Sequence, residues 1–461
     1  MRLLKESLKI LSEVDEFNLS YLYGNHTSTL NYLVKNEKSK FLFRILNYIY
    51  FIARRLKLKK NNNIRCDTLI YAGTTNQLNS VIGVYRELIK LERKPFLLVE
   101  PNLIKLCKDY NVNFGVVGFP TKVTMNSLGL NLVRSRYILG KKSNITGFWN
   151  CFDFFLKSHF YLNYFEELLS NGCIDNILTS NDHNVSNRAF LMVAKKHSIK
   201  TMYVQHASVS TYFPELEFDY AFLDGYHSLM IYESISNRKS THKTTVFLTG
   251  QKKLLPRIQN KPNILSVGLA LNNLDNIHLV KKIIDDCISK NIFVRVRLHP
   301  SQFYNYRRFI ERIYGGSALV CITNPSTESI HDFFSSVSFV IASNTGIHLE
   351  AALLGIFSCY FNLSNSCDYN DYYGFVKNGL CPSVGSVSEA LILFKSKNMN
   401  GDEKKLAIRN YSSTFSTSWQ GYESELLAIL VVMVSCDDYD ASKIMNYIDL
   451  YSYPTYDLKE R

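Results

Sequence analysis

The chain has 461 residues, of which 46% are hydrophobic and 20% charged, and it carries a formal net charge of +13. That length suffices for two separate cores, and the balance excludes a disordered chain. No run of eighteen apolar residues occurs and the opening stretch MRLLKESLKILSEVDEF lacks a cleavage pattern, so neither a transmembrane helix nor a signal peptide is expected, and the expected location is the cytosol.

In chain order, residues 1–63 are expected to be helical. The segment 38–60 holds eight Lys or Arg and no acid, among many aromatic and aliphatic residues. As a helix it sets Arg44, Asn47, Tyr48 and Arg55 on a polar stripe. Two readings stay open: a helix lying on the anionic inner face of the cell membrane, or a packed helix followed by a basic linker. A nucleic-acid partner is not expected, because no recognised reading motif accompanies the charge.

From Cys66 onward short apolar runs alternate with helical patterns. CDTLIYAG, KPFLLVEPN and VNFGVVGFP read as strands, followed by a long aromatic helix over 148–172 and a further β-α-β unit ending in KTMYVQHAS. Around 233–243 the pattern lapses into polar residues. A second strand–helix series then begins with TTVFLTG and runs through NILSVGLAL, IFVRVRLHP, LVCITN, SVSFVIASN and FSCYFN. ESELLAILVVMV, near the end, is too short to span a bilayer and reads as a buried helix crossing back onto a domain. Such alternation predicts parallel sheets covered on both faces. Two Rossmann-like halves with a linker describe the α/β GT-B fold, with a cleft between them. The expected boundaries are an N-terminal helical segment over 1–63, an acceptor domain over 64–240, a nucleotide-sugar domain over 241–415 and a helical tail over 416–461.

In open α/β sheets, ligands bind beyond the carboxyl ends of the strands. Four clusters fall there. Asn181, Asp182 and His183 follow NILTS; Gln205 and His206 follow TMYV; Arg297, His299 and Pro300 end IFVRVRLHP; and Ser343, Asn344, Thr345 and Gly346 follow FVIA, with Glu350 one turn further on. His299 can donate to a leaving phosphate. Ser343, Thr345 and the following helix start can cradle phosphate without a metal, and Glu350 suits a ribose. Asp182 or His206 can take a proton from an acceptor hydroxyl. Taken singly, each cluster also has a plain structural use, such as a strand end, a helix cap or a core histidine. Their shared position at strand ends is what points to a site. Ten cysteines occur without any CxxC, and the histidines show no HExxH spacing, so neither a metal nor a cofactor is expected.

RLHP followed about forty-five residues later by SNTGIHLEAALLG resembles bacterial polysialyltransferases and capsule polymerases, and also CDP-glycerol glycerophosphotransferases. The stretch SNDHN…NRAF…KTMYVQHASVS…FPELEFDYAFLDG is similar to the acceptor-side half of bacterial sialyltransferase-like and Kdo-transferase-like proteins. The nearest counterpart of the acidic motif that polysialyltransferases use as base is Leu223-Asp224-Gly225. The resemblance implies an inverting glycosyltransferase of capsule or lipopolysaccharide O-antigen synthesis. Its implied donor is CMP-activated sialic acid or a related nonulosonate, and its acceptor a glycan or lipid-linked glycan. CDP-glycerol is the alternative donor, and a UDP-sugar 2-epimerase the alternative enzyme on the same fold.

Overall fold

The computed structural model describes residues 41–58, 64–120, 145–181, 184–236 apart from 210–212 and 214, 244–250, 262–299 apart from 263, 273 and 274, 303–396 apart from 325, 326 and 365–369, 401–436 and 455–457. The chain forms two compact units, one of residues 1–253 together with 417–461, the other of residues 254–416.

The first unit opens with helix α1 (Phe41–Leu56). Strand β1 (Arg65–Ala72), helix α2 (Thr75–Lys90) and strand β2 (Pro95–Val99) make the first β-α-β crossover, with Leu69 of β1 opposite Phe96 of β2. The Thr74 hydroxyl caps α2 by accepting from the Gln77 N–H at 3.3 Å. Buried residues of α2 fall at Leu78, Val81, Val84, Tyr85 and Leu88, the spacing of one helical face. Helix α3 (Ile104–Asp109) and strand β3 (Phe114–Val116) complete that edge. Helix α4 (Ile145–Asn171) then leads into β4 (Cys173–Thr179), α5 (Val185–Lys196), β5 (Lys200–Val204), β6 (Tyr220–Leu223), α6 (Tyr226–Ser236) and β7 (Thr245–Leu248). The sheet runs β13-β7-β6-β5-β4-β1-β2-β3, parallel throughout except for β13 (Thr455–Asp457), which pairs antiparallel with β7. Leu69, Ile70, Tyr71 and Ala72 are all fully buried, as a strand covered on both faces requires.

β7 corrects the sequence reading. TTVFLTG looks like the start of the second series, yet Phe222 of β6 pairs in parallel with Phe247, so the strand belongs to the first sheet. The division lies at Lys253/Leu254 rather than at 240/241. The chain also returns to this unit at its end. Helix α13, over Glu423–Ser435, buries Leu426, Leu427, Leu430, Val431 and Val434 in the same core as Val81, Val84 and Leu88 of α2. Gly83 makes that approach feasible, because a Cβ there would collide with the Ser424 side chain.

The second unit holds β8 (Ser266–Ala270), α7 (Ile277–Ser289), β9 (Phe293–Arg297), α8 (Phe303–Tyr314), β10 (Val320–Thr323), α9 (Ile330–Ser335), β11 (Phe339–Ala342), α10 (Ile347–Leu353) and β12 (Ser358–Tyr360). Helices α11 (Val387–Ser396) and α12 (Asp402–Tyr411) follow. All five strands are parallel, in the order β10-β9-β8-β11-β12. Val280, Ile283, Ile284 and Cys287 of α7 press onto this sheet at helical spacing. Burial raises the thiol pKa of Cys287 to about 12, so it behaves as a small core residue. Among the described residues no group of three or more His, Cys, Asp or Glu is placed to hold a metal ion, and no helix is long and apolar enough to cross a membrane.

Candidate active site

Strand order locates the two places where a parallel sheet opens a crevice. In the first unit, successive crossovers reverse direction between β1 and β4; in the second they reverse between β8 and β11. A ligand fits beyond the carboxyl ends at such a reversal, where the flanking loops diverge.

At the second reversal the polar groups are tied across the strands. The Asn272 side chain, just past β8, donates to Ser343 Oγ at 3.0 Å and to the Asn344 carbonyl at 3.0 Å, both just past β11. The Ser343 hydroxyl in turn donates to the Asp275 carboxylate. Asp275 also accepts the Asn272 N–H at 2.7 Å, and the Tyr306 hydroxyl donates to its backbone carbonyl. Burial raises the Asp275 pKa to about 6, against the opposing pull of the bonds from Ser343 and Asn272. Neither Asn272 nor Asp275 stands out in the run LNNLDN, and nothing local announces that this loop meets Ser343.

The remaining residues of this cluster divide by what they already bind. Asn344 accepts from the Tyr372 N–H at 2.7 Å and donates to the Tyr360 hydroxyl at 3.3 Å, so it fastens a neighbouring loop. Arg297 donates to the Glu328 carboxylate at 3.0 Å and to the Glu328 carbonyl at 3.1 Å, and Glu328 also holds Arg295. Arg297 is therefore already engaged within the protein, although one carboxylate serves two guanidinium groups. His348 is a core histidine, bridging Ser358 Oγ and the Ser343 carbonyl, with its pKa lowered to about 4 by burial. Glu350 is buried in the first turn of α10.

Three groups near Ser343 have no hydrogen-bond partner among the described residues: the Thr345 hydroxyl and the backbone N–H groups of Gly346 and Ile347. A Cβ at Gly346 would meet nothing within 4 Å, so open space adjoins them. α10 has only seven residues, so these individual donors, rather than a long helix dipole, make up any anion cradle. His299 is half-buried beyond β9, and burial holds its pKa below the usual histidine value. β9 and β11 flank β8, which puts their ends about 10 Å apart. Pro300 lies outside the described residues.

The first unit's edge is wired differently. Gln205, past β5, accepts from the Asp224 N–H at 2.9 Å and donates to the Ala207 carbonyl at 2.9 Å, so its amide shapes the ends of β5 and β6. Asn181 accepts from the Asn184 N–H at 2.8 Å, a local turn leading into α5. His206 is half-buried beside Gln205. Asp182 and His183 lie outside the described residues. Across the first reversal, the Ser180 hydroxyl donates to the Gln77 carbonyl at 3.1 Å, and Gln77 Oε1 accepts from the Gly73 N–H at 2.7 Å. Further along, the buried Glu100 carboxylate past β2 binds Arg55 of α1 and accepts from the Tyr71 hydroxyl at 2.9 Å. That network was not expected from the sequence.

Two Rossmann-like parallel α/β units, each with a strand-order reversal, define the GT-B class of fold. Solved structures of that class match the chain. A UDP-N-acetylglucosamine 2-epimerase from Neisseria meningitidis bound to UDP-GlcNAc is 15% identical, with a TM-score of 0.53 over 80% of this chain and 100% of its own. A protein assigned as UDP-N-acetylglucosamine 2-epimerase from Listeria monocytogenes is 14% identical, with a TM-score of 0.52 over 79% of this chain and 94% of its own. The glycotransferase of kitacinnamycin is 8% identical, with a TM-score of 0.50 over 81% of this chain and 99% of its own. At these identities the likeness is one of fold. No protein-family profile matches the chain, and no curated protein sequence matches it.

Proposed function

We propose that the chain is a nucleotide-sugar enzyme whose nucleotide phosphate is held at the β8/β11 reversal of the second unit. The observation that carries this reading is the pairing, at one strand-order reversal, of a cross-strand network with uncommitted donors. Asn272, Asp275 and Ser343 fix the loops, while Thr345, Gly346 and Ile347 offer an O–H and two N–H groups beside open space. Such donors stabilise phosphate without reorganising. His299, kept neutral by burial, adds a ring N–H suited to a leaving phosphate oxygen.

The neighbours favour a UDP-sugar over the CMP-sugar implied by the motif resemblance, and inversion at sugar C2 is the first reading. Inversion there needs a group that removes the C2 proton. His206 and Asp224, at the carboxyl edge of the first sheet, and Asp182, which follows β4 in the sequence, are the titratable groups we assign to proton transfer. The second reading is transfer to a glycan hydroxyl from CMP-activated sialic acid, a related nonulosonate or CDP-glycerol. It is supported by the RLHP and SNTG motifs and by a glycotransferase of the same fold.

Thermal-shift titration with UDP, CMP and CDP comes first, because a ligand at a hundredfold its Kd stabilises by about 2.7 kcal/mol. UDP-GlcNAc is then incubated in D2O without acceptor. A 2-epimerase incorporates deuterium at C2 and yields the epimer. A transferase leaves C2 unexchanged and forms product only with an acceptor glycan. Absence of stabilisation by every nucleotide at millimolar concentration overturns the nucleotide-sugar reading.

A further inference from the structure

Helix α1 is apolar on two opposite faces. One is occupied: Ile45, Tyr48, Phe51 and Ile52 pack into the core with Phe160 and Tyr161 of α4. Arg55 is buried there, stacked 3.6 Å from the Phe51 ring centre and paired with Glu100. The sequence sets Tyr48 and Arg55 on one polar stripe, and both are buried: Glu100 supplies Arg55 with a counter-charge, and Tyr48 joins the apolar core. α1 is thus fixed to the first unit.

Its other face is exposed. Leu42, Leu46, Ile49, Tyr50 and Leu56 are 64%, 55%, 56%, 62% and 61% exposed. At 100° per residue they cover an arc of about 120°. An apolar helix face calls for an apolar environment, and among the described residues α1 has one on a single side. Beside Tyr50 runs a groove of about 360 Å³ between α1, α4 and the turn after β2, lined by Asn47, Arg54, Asn102 and Lys157. Two acids beside this helix among the described residues are buried and already paired, Glu100 with Arg55 and Asp153 with Lys157. Arg54 and Lys57 are exposed without an acidic partner among the described residues. An exposed apolar arc bordered by uncompensated cations, with no acid on the helix itself, complements a surface of apolar chains beneath anionic headgroups.

We infer that α1 docks this protein on an anionic phospholipid bilayer, with Leu42, Leu46, Ile49 and Leu56 entering the acyl boundary while Arg54 and Lys57 meet lipid phosphates. The inference is independent of which sugar chemistry the enzyme performs. It is tested with the full chain by co-sedimentation with vesicles of phosphatidylglycerol and phosphatidylcholine, and with vesicles of phosphatidylcholine alone. The wild type partitions onto the anionic vesicles, less so at high salt. Arg54→Gln with Lys57→Gln weakens partitioning by about thirtyfold, since each cation contributes about 1 kcal/mol at such a surface. Leu46→Ser with Ile49→Ser also releases the protein, and both double variants keep the wild-type melting temperature. Equal partitioning of wild type and variants, or equal affinity for neutral vesicles, overturns the proposal. Failure to bind vesicles, with a melting temperature lowered by Leu46→Ser and Ile49→Ser, overturns it in favour of a face covered by residues of the chain itself. A lipid-independent dimer lost in that same variant overturns it in favour of a second copy.

Discussion

The two sheets present the same kind of edge and equip it differently. In the second unit the hydrogen bonds at the reversal run between strands: Asn272 after β8 reaches Ser343 and Asn344 after β11. In the first unit one bond also crosses the reversal, from the Ser180 hydroxyl to the Gln77 carbonyl, while the bonds around Gln205 and Asn181 stay within their own loops or an adjacent strand end, and the buried charge, Glu100, is directed at Arg55 of α1. One edge is braced across its strands, as the proposed phosphate site requires. The other uses its strongest electrostatic contact to secure a helix. Loss of His299 at the second edge should therefore alter chemistry and leave stability alone, and a change at the first edge's ion pair should do the reverse.

His299→Ala carries the largest expected effect. Turnover of the nucleotide sugar falls by about 10²–10⁴, as for loss of a proton-donating group, with an unchanged melting temperature. Near wild-type turnover at saturating substrate would remove His299 from the site.

Glu100→Gln is the counterpart in the first unit. It leaves the Arg55 guanidinium buried without a counter-charge, so unfolding free energy drops by about 3–5 kcal/mol. Nucleotide affinity, measured by calorimetry below the transition, stays the same. A weakened affinity without loss of stability would erase the contrast between the two edges.

The smallest effect is a pH dependence. Asp275 has its pKa raised by burial from 3.8 to about 6, so the fold favours its neutral form. Stability from this group is fully present below about pH 4, is lost as pH rises towards about 6, and is flat beyond. The total change is about 3 kcal/mol by linkage. Asp275→Asn should abolish that component. Urea unfolding of both proteins at pH 4 and pH 7 gives the difference, and parallel pH profiles would show that Asp275 is ionised throughout.

The alternation of strands and helices was legible because apolar runs of strand length and amphipathic helices such as α7 repeat through the chain. The sheet to which a strand belongs was not. Thr245–Leu248 follows a polar stretch, and only its pairing with β6 assigns it to the first unit. The same limit applies to the site. Ser343, Thr345, Gly346 and His299 were proposed from their positions after strands, while Asn272 and Asp275 join Ser343 across about seventy residues of chain. Arg297 and Arg55 read as available cations until their partners, Glu328 and Glu100, were brought to them by the fold. A pairing partner distant in sequence leaves no local mark on either residue.

The returning helix α13 sets an order of events on the ribosome. The first unit's core needs Leu426, Leu427, Leu430, Val431 and Val434 against Val81, Val84 and Leu88. Those residues are made only after the whole of 254–416, roughly 160 residues, has been synthesised. Roughly 340 residues separate the end of α2 at Lys90 from Leu426, so at about 5–20 residues per second α2 waits some 17–70 s without that partner. The second unit, contiguous in sequence, can fold during that interval. The half of the chain that is translated first is thus the last to be finished, and in the meantime it is the half that offers a surface to chaperones.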